Sequence, residues 1–207
     1  MVRTLTLKID DKEVEAKEGM TILEVAKQSG VEIPTLCHEE GLDPYGACRI
    51  CSVEIEKRGG VKIVAACCYP VEEGLKVRTR SPKIDKIRKT ILELAAVTAG
   101  EDIAGEMRSL ASKYNADLSK FRSRVPTEMT KCILCGLCIR RCVEANWDSI
   151  IGFAGRGVNR RVVLFPEKGG ICSICNYCYD VCPTGRISST GPSPHFPQID
   201  DVIAGRE

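Results

Sequence analysis

Polar and apolar residues alternate from the start of the chain. Leu5, Leu7 and Ile9 fall on one face and Thr4, Thr6 and Lys8 on the other, the period-two pattern of a half-buried strand. Asp10-Asp11-Lys12 supplies a turn, and Val14 to Lys17 a returning strand. Thr21, followed three residues later by Glu24, forms a capping box in which each side chain satisfies the other's backbone N–H. It opens a short helix through Ile22, Leu23, Val25 and Ala26 that Gly30 closes. After a loop from Cys37 to Cys51 come a strand from Ser52 to Glu56, a turn at Gly59-Gly60, and a strand from Val61 to Ala65. Further on the period lengthens to that of a helix. Ser81-Pro82 suits an N-cap and first helical position. Ile84, Ile87, Ile91, Leu94 and Ala95 follow at helical spacing, with Lys and Arg on the outer face and Gly100 at the end. A second helix is expected from Glu101 or Asp102, carrying Ile103, Met107, Leu110, Ala111 and Tyr114. Both stripes read as core and docking surface. A short hairpin is expected between Trp147 and Pro166, ending in Val162-Val163-Leu164-Phe165. From Gly185 to Glu207, with Pro192, Pro194 and Pro197, the chain reads as an extended tail.

Composition narrows the function classes. A net charge of +2 with 28% charged residues gives no polybasic face for nucleic acid. No apolar run approaches the ~18–20 residues of a membrane span. The first residues show a charged strand pattern without an apolar signal core, so a cytoplasmic location is expected. Aromatic residues are only 5% of the chain, so the cores must be aliphatic. Gly152-Phe153-Ala154-Gly155-Arg156-Gly157 fails the dinucleotide test, since no βαβ unit surrounds it, and reads as a turn. No nucleophile with its base and no catalytic triad is legible. The chain is therefore expected to lack a catalytic site of its own.

The chemistry lies in thirteen cysteines, twelve of which sort into three frames. The first is Cys37, Cys48 and Cys51 with a fourth at Cys67 or Cys68. The second is Cys132, Cys135, Cys138 and Cys142, and the third Cys172, Cys175, Cys178 and Cys182, followed by Pro183. Disulfides suit an oxidising compartment that this chain gives no sign of entering. Zinc favours paired knuckles, but a third cysteine two residues on and a fourth three after that enclose one tetrahedral ion poorly. Buried reduced thiols would not recur at fixed offsets. The later two frames have the spacing of a ferredoxin with two [4Fe–4S] clusters, in which each run's fourth cysteine ligates the other cluster. Cys132, Cys135 and Cys138 should then share a cluster with Cys182, and Cys172, Cys175 and Cys178 with Cys142. Lys131, Arg140 and Arg141 read as a solvated face beside the first run. The first frame departs from the plant-type spacing, yet a loop cysteine, a close pair and a fourth after a hairpin suit a [2Fe–2S] rhomb. Gly41 and Gly46 would let backbone N–H groups approach its sulfurs. His38 is read as a solvent-facing loop residue.

Hairpin, helix, cluster loop and hairpin is the order of a β-grasp ferredoxin domain. The expected fold is α+β: a β-grasp [2Fe–2S] domain over 1–80, a helical linker over 81–126, a bacterial-type 2[4Fe–4S] ferredoxin domain over 127–190, and the tail over 191–207. The stretch Cys37-His38-Glu39-Glu40-Gly41-Leu42, with Tyr45-Gly46-Ala47-Cys48-Arg49-Ile50-Cys51-Ser52-Val53-Glu54, resembles the N-terminal region of the large iron–sulfur subunit of NADH:quinone oxidoreductase. It is also similar to the small diaphorase subunit of NAD-linked hydrogenases. In that family the fourth ligand sits in Cys-x-x-Pro-Val, so Cys67-Cys68-Tyr69-Pro70-Val71 implies Cys67 and leaves Cys68 a buried free thiol. The resemblance covers roughly residues 1–190 and departs in two ways. Residues 82–130 contain neither histidine nor cysteine, so the family's one-histidine, three-cysteine cluster is missing. No molybdopterin or hydrogenase H-cluster domain is expected beyond residue 207. The resemblance thus implies a detached electron relay with one [2Fe–2S] and two [4Fe–4S] clusters. The neighbours it implies are a flavin-containing NADH-oxidising subunit and a catalytic hydrogenase or dehydrogenase subunit. Electron-bifurcating complexes use such truncated subunits, which adds ferredoxin as a partner. A free ferredoxin shuttle is the rival reading.

Overall fold

The computed structural model describes residues 3–101, 103, 105–125, 129–146, 150–165, 175, 177–179, 181–187, 196 and 199–200. They fall into two compact units. The first comprises Met1–His38, Asp43–Leu92 and Leu110–Ala116, and the second Glu39–Leu42, Glu93–Ser109 and Asp117–Glu207.

The first unit is built on a five-stranded sheet. Strands β1 (Thr4–Ile9) and β2 (Lys12–Lys17) form a hairpin with Ile9 opposite Lys12. The connecting Asp10 and Asp11 both have positive φ (48° and 67°), as a two-residue turn that follows the strands' twist requires. The returning strand starts two residues earlier than Val14, because this turn needs only two residues. Helix α1 (Ile22–Gln28) carries the expected capping box: Thr21 N–H donates to the Glu24 carboxylate at 2.6 Å, and Glu24 N–H to Thr21 Oγ1 at 3.3 Å. Strands β3 (Ser52–Lys57) and β4 (Gly60–Ala65) pair from Ser52–Ala65 to Lys57–Gly60. The turn is therefore Arg58-Gly59 rather than Gly59-Gly60. A short strand that periodicity does not reveal, β5 (Lys76–Arg78), completes the order β2-β1-β5-β3-β4, parallel to β1 and antiparallel to β3. Leu5, Leu7 and Ile9 pack with Ile22, Val25, Val53, Ile55 and Val77 into one aliphatic core that includes Cys51 and Cys67. The Asp10 carboxylate accepts from Thr79 N–H at 2.7 Å and from its hydroxyl, fastening the first turn to the end of β5.

Helix α2 (Pro82–Ala99) begins on Ser81, whose Oγ accepts from Ile84 N–H at 3.2 Å and donates to Glu54 at 2.9 Å. Gly100, with φ of 85°, ends it. Its buried row differs from the expected stripe: Ile84, Arg88, Leu92 and Ala96 are enclosed, whereas Leu94 is exposed and Ile87 and Ile91 are half-buried. Glu93, Val97 and Ala99 are buried with that row, so the enclosed face is turned from the expected stripe. One cation thus lies inside, not on the outer face. Helix α3 (Gly105–Lys113) starts later than expected, but Ile103, Met107, Leu110, Ala111 and Tyr114 are all buried.

In the second unit, helix α4 (Leu137–Asn146) leaves the first cysteine run, and β6 (Ile151–Ala154) pairs with β7 (Arg161–Leu164) as the expected hairpin. Half of the glycine-rich stretch is thus strand. Gly155 (φ 74°) forms the bend, where a Cβ would meet the Asn159 carbonyl oxygen at 2.3 Å. Cys142, Ile150, Ile151, Val162, Cys178, Ile187 and Phe196 form its core. Ile187 and Phe196 belong to the stretch read as an extended tail, and here they are buried. Most of residues 188–207, and residues 127–128 at the start of the expected ferredoxin domain, lie outside the described residues. Among the described residues no helix is long and apolar enough to cross a membrane.

Candidate metal centres

The β3–β4 hairpin makes half of the first site. With Ser52 opposite Ala65, the residues just beyond its open end face each other, and Ala66 N–H donates to the Cys51 carbonyl at 3.2 Å. This places the Cys51 and Cys67 sulfurs 3.4 Å apart. The loop makes the other half: Cys48 N–H donates to Cys37 Sγ at 3.4 Å. Arg49 adopts a left-handed φ of 60° inside the Cys48–Cys51 turn, and its carbonyl is held by Ser52 Oγ at 2.6 Å. Non-glycine residues take that conformation only when the surroundings compel it. Cys37, Cys51 and Cys67 are buried and Cys48 half-buried.

The thiols are electrostatically paired. Hydrogen bonding to Cys67 draws Cys51 down to about 7, and the same contact with burial pushes Cys67 well up. In the other pair, the bond to Cys37 and burial push Cys48 up. A metal bound by these thiols would displace their protons.

Cys68 is exposed, not buried as expected. It follows Cys67 in a tight turn in which both Cys68 and Tyr69 N–H donate to the Ala65 carbonyl at 3.1 Å, so the chain leaves the core there. Its sulfur still lies 3.5 Å from that of Cys67, and a Cβ on Gly46 (φ 65°) would come within 2.9 Å of it. His38, expected to face solvent, is half-buried with its Nδ1 enclosed.

In the second unit, Cys132, Cys135, Cys138 and Cys182 line one apolar cavity, closed by Ile133, Leu137, Val162, Pro183, Ile187 and Phe196. Lys131, Leu134 and Gly136 all have positive φ (52°, 55° and 74°), and this winding turns Leu134 N–H toward Cys132 Sγ at 3.4 Å. Buried Thr184 ties the runs together. Its Oγ1 donates to the Lys131 carbonyl at 2.7 Å and lies 3.3 Å from Cys182 Sγ. Thr98 Oγ1 donates to the Cys132 carbonyl at 2.7 Å. Burial first, then the neighbouring cysteines, raise Cys138 well above an ordinary thiol. Cys142 and Cys178 are buried in the adjoining core and Cys175 is half-buried, while Cys172 lies outside the described residues. Lys131 is exposed as expected. Arg141 is half-buried, pairing with Glu144 at 2.8 Å and lying over the Tyr177 ring at 4.8 Å.

Among the described residues no group of three or more histidine, cysteine or carboxylate side chains is placed to hold one metal ion. Two sulfurs each 2.3 Å from one tetrahedral ion stand about 3.8 Å apart, close to the Cys51–Cys67 separation. The Cys51–Cys67 pair fits one half of a binuclear [2Fe–2S] group, and the four-thiol cavity fits a group taking one thiolate per iron.

Residues 2–82 match the family described as a 2Fe-2S iron-sulfur cluster binding domain. The chain is 32% identical over 200 residues to the NADH-ubiquinone oxidoreductase 75 kDa subunit of Reclinomonas americana, covering 87% of this chain and 29% of that protein. It is 32% identical over 204 residues to the NADPH-Fe(3+) oxidoreductase subunit alpha of Geobacter sulfurreducens (89% and 24%). An NADH-quinone oxidoreductase subunit of Rickettsia prowazekii is 31% identical (89% and 30%). The chain thus spans less than a third of the length of these relatives. A chain of the crystal structure of NAD+-reducing [NiFe]-hydrogenase in the H2-reduced state superposes with a TM-score of 0.75 at 26% identity, covering 93% of this chain and 94% of that one. Residues 2–82 are therefore similar to 2Fe–2S iron–sulfur cluster binding domains, in a chain similar over most of its own length to the NADH-ubiquinone oxidoreductase 75 kDa subunit.

Proposed function

We propose that this chain is an iron–sulfur relay subunit of a cytoplasmic NAD(H)-linked oxidoreductase. It passes electrons between a flavin-containing NADH-oxidising subunit and a catalytic subunit such as a [NiFe] hydrogenase. Ferredoxin is a further partner where the complex bifurcates electrons. One [2Fe–2S] cluster sits on Cys37, Cys48, Cys51 and Cys67. One [4Fe–4S] cluster sits on Cys132, Cys135, Cys138 and Cys182, and another on Cys142, Cys172, Cys175 and Cys178. The division into domains over 1–80 and 127–190, joined by the helices of 81–126, belongs to the same reading.

The observation that carries it is the apolar cavity shared by Cys132, Cys135, Cys138 and Cys182. Three thiols of one run meet the last thiol of a distant run, the split that a two-cluster ferredoxin requires. The likeness to a chain of NAD+-reducing [NiFe]-hydrogenase over nearly the full length of both supports the hydrogenase neighbour. When bound, clusters of these kinds supply reversible one-electron acceptors. The residues around them do the rest. Leu137, Val162, Ile187 and Phe196 exclude water, and Leu134 N–H faces a sulfur.

The test is anaerobic purification of the native complex through a tag on this chain, with iron, flavin, nickel and molybdenum counted. About ten iron atoms per chain, with flavin and nickel in the co-purified partners, is the expected result. Molybdenum or tungsten in place of nickel would move the assignment to a formate or aldehyde dehydrogenase. A brown monomer without a flavin partner would make it a free ferredoxin.

A further inference from the structure

Arg88 is the bulkiest fully buried side chain among the described residues, 1% exposed in the middle of α2. Its Nε donates to the Ile50 carbonyl at 3.1 Å and its Nη2 to the Ser52 carbonyl at 3.0 Å. Nη1 donates to the Tyr114 hydroxyl at 3.0 Å, and the guanidinium carbon lies 5.6 Å from the Tyr114 ring centre. Every one of these acceptors is neutral. Among the described residues Arg88 makes no ion pair. Glu32 feels its charge, but that carboxylate is exposed and held by Lys113 at 2.9 Å. A guanidinium taken out of water with only neutral partners is costly, and side chains so placed ordinarily face a negative group. The two carbonyls that Arg88 grips belong to the residues on either side of Cys51, whose sulfur meets that of Cys67. Four thiolates around two irons leave such a centre net negative, and reduction adds one more negative charge.

We propose that Arg88 is the buried countercharge of the [2Fe–2S] centre, a positioning residue that holds Cys51 from behind and makes the reduced centre easier to form. This rests on the reading that Cys37, Cys48, Cys51 and Cys67 carry that centre. A fixed charge in a poorly solvated site acts on a neighbouring charge far more strongly than one at the surface. The planar fork adds what a lysine could not: it spans both carbonyls at once, keeping the Cys51 turn from pivoting. Tyr114, at the end of α3, orients the fork without carrying charge.

The experiment is an EPR-monitored redox titration of the full chain, purified anaerobically, as wild type, Arg88→Met, Arg88→Lys and Tyr114→Phe. Arg88→Met should keep its [2Fe–2S] signal but become harder to reduce by about tenfold in the one-electron equilibrium, a shift of 59 mV downward. Arg88→Lys should recover most of that shift, and Tyr114→Phe should move it little. A loaded Arg88→Met protein with an unchanged potential would overturn the proposal. If Arg88→Met fails to load iron, loading by Arg88→Lys supports the need for charge, whereas failure of both reduces Arg88 to a geometric clamp and overturns it. A wild-type chain without any [2Fe–2S] signal would instead sink the functional reading and this proposal with it.

Discussion

The two cysteine-rich regions solve the same problem with different materials. In the first unit, Cys51 and Cys67 are a small part of a larger core that Leu7, Ile9, Ile22, Val53, Ile55 and Val77 largely fill. In the second, Cys142 and Cys178 are core residues themselves, with Cys132, Cys138 and Cys182 packed against them. A sheet with its own aliphatic interior can hold its shape while waiting for a metal. A segment whose small interior includes several ligands draws more of its folding free energy from the metal it binds. The difference teaches that site residues can be additions to a fold or its substance.

The largest test of that contrast is iron removal. Anaerobic chelation should abolish hydrogen-exchange protection in α4, β6 and β7 while β1, β3 and β5 stay protected. Equal loss in both regions would erase the distinction. Next comes a single thiol. Cys67→Ser should remove the [2Fe–2S] EPR signal and leave both [4Fe–4S] signals, whereas Cys68→Ser should leave all three. Loss of the first centre in Cys68→Ser would reverse the ligand choice at this vicinal pair. A smaller effect is expected from Leu7→Ala, buried at 1% exposure, which should cost about 2–5 kcal/mol in denaturant titrations followed on the sheet. The [4Fe–4S] signals per folded chain should not change. The smallest is Thr21→Ala, which removes the capping box of α1 and should cost about 0.5–2 kcal/mol. A larger loss would mean that the Thr21–Pro70 bridge, which joins α1 to the segment after Cys67, matters more than the cap.

Features written in short-range code were legible from the sequence. The capping box, the turns of the three hairpins and the two later cysteine frames are each defined by residues close together in the chain. Features set by distant partners were not. Strand β5 has one inward residue, Val77, and exists because β1 and β3 flank it. Arg88 reads as an outer-face cation until the carbonyls of Ile50 and Ser52 are known to lie beneath it. The only signal for it was the i, i+4 row from Ile84 to Ala96, interrupted by one charge. Cys68 defied expectation because the turn after β4 carries it out of the core while its sulfur stays beside that of Cys67. The burial of Ile187 and Phe196 was hidden by the prolines around them, whose composition suggested a tail.

The parallel pairing of β1 with β5 bears on how the chain is made. Lys8 and Ile9 find their partners in Lys76 and Val77, so the first strand made waits for the last strand of its sheet. At typical rates of synthesis that interval lasts roughly 3–13 seconds. Cys37, Cys48, Cys51 and Cys67 all emerge within it. The ribosome therefore presents all four thiols before the sheet can be completed.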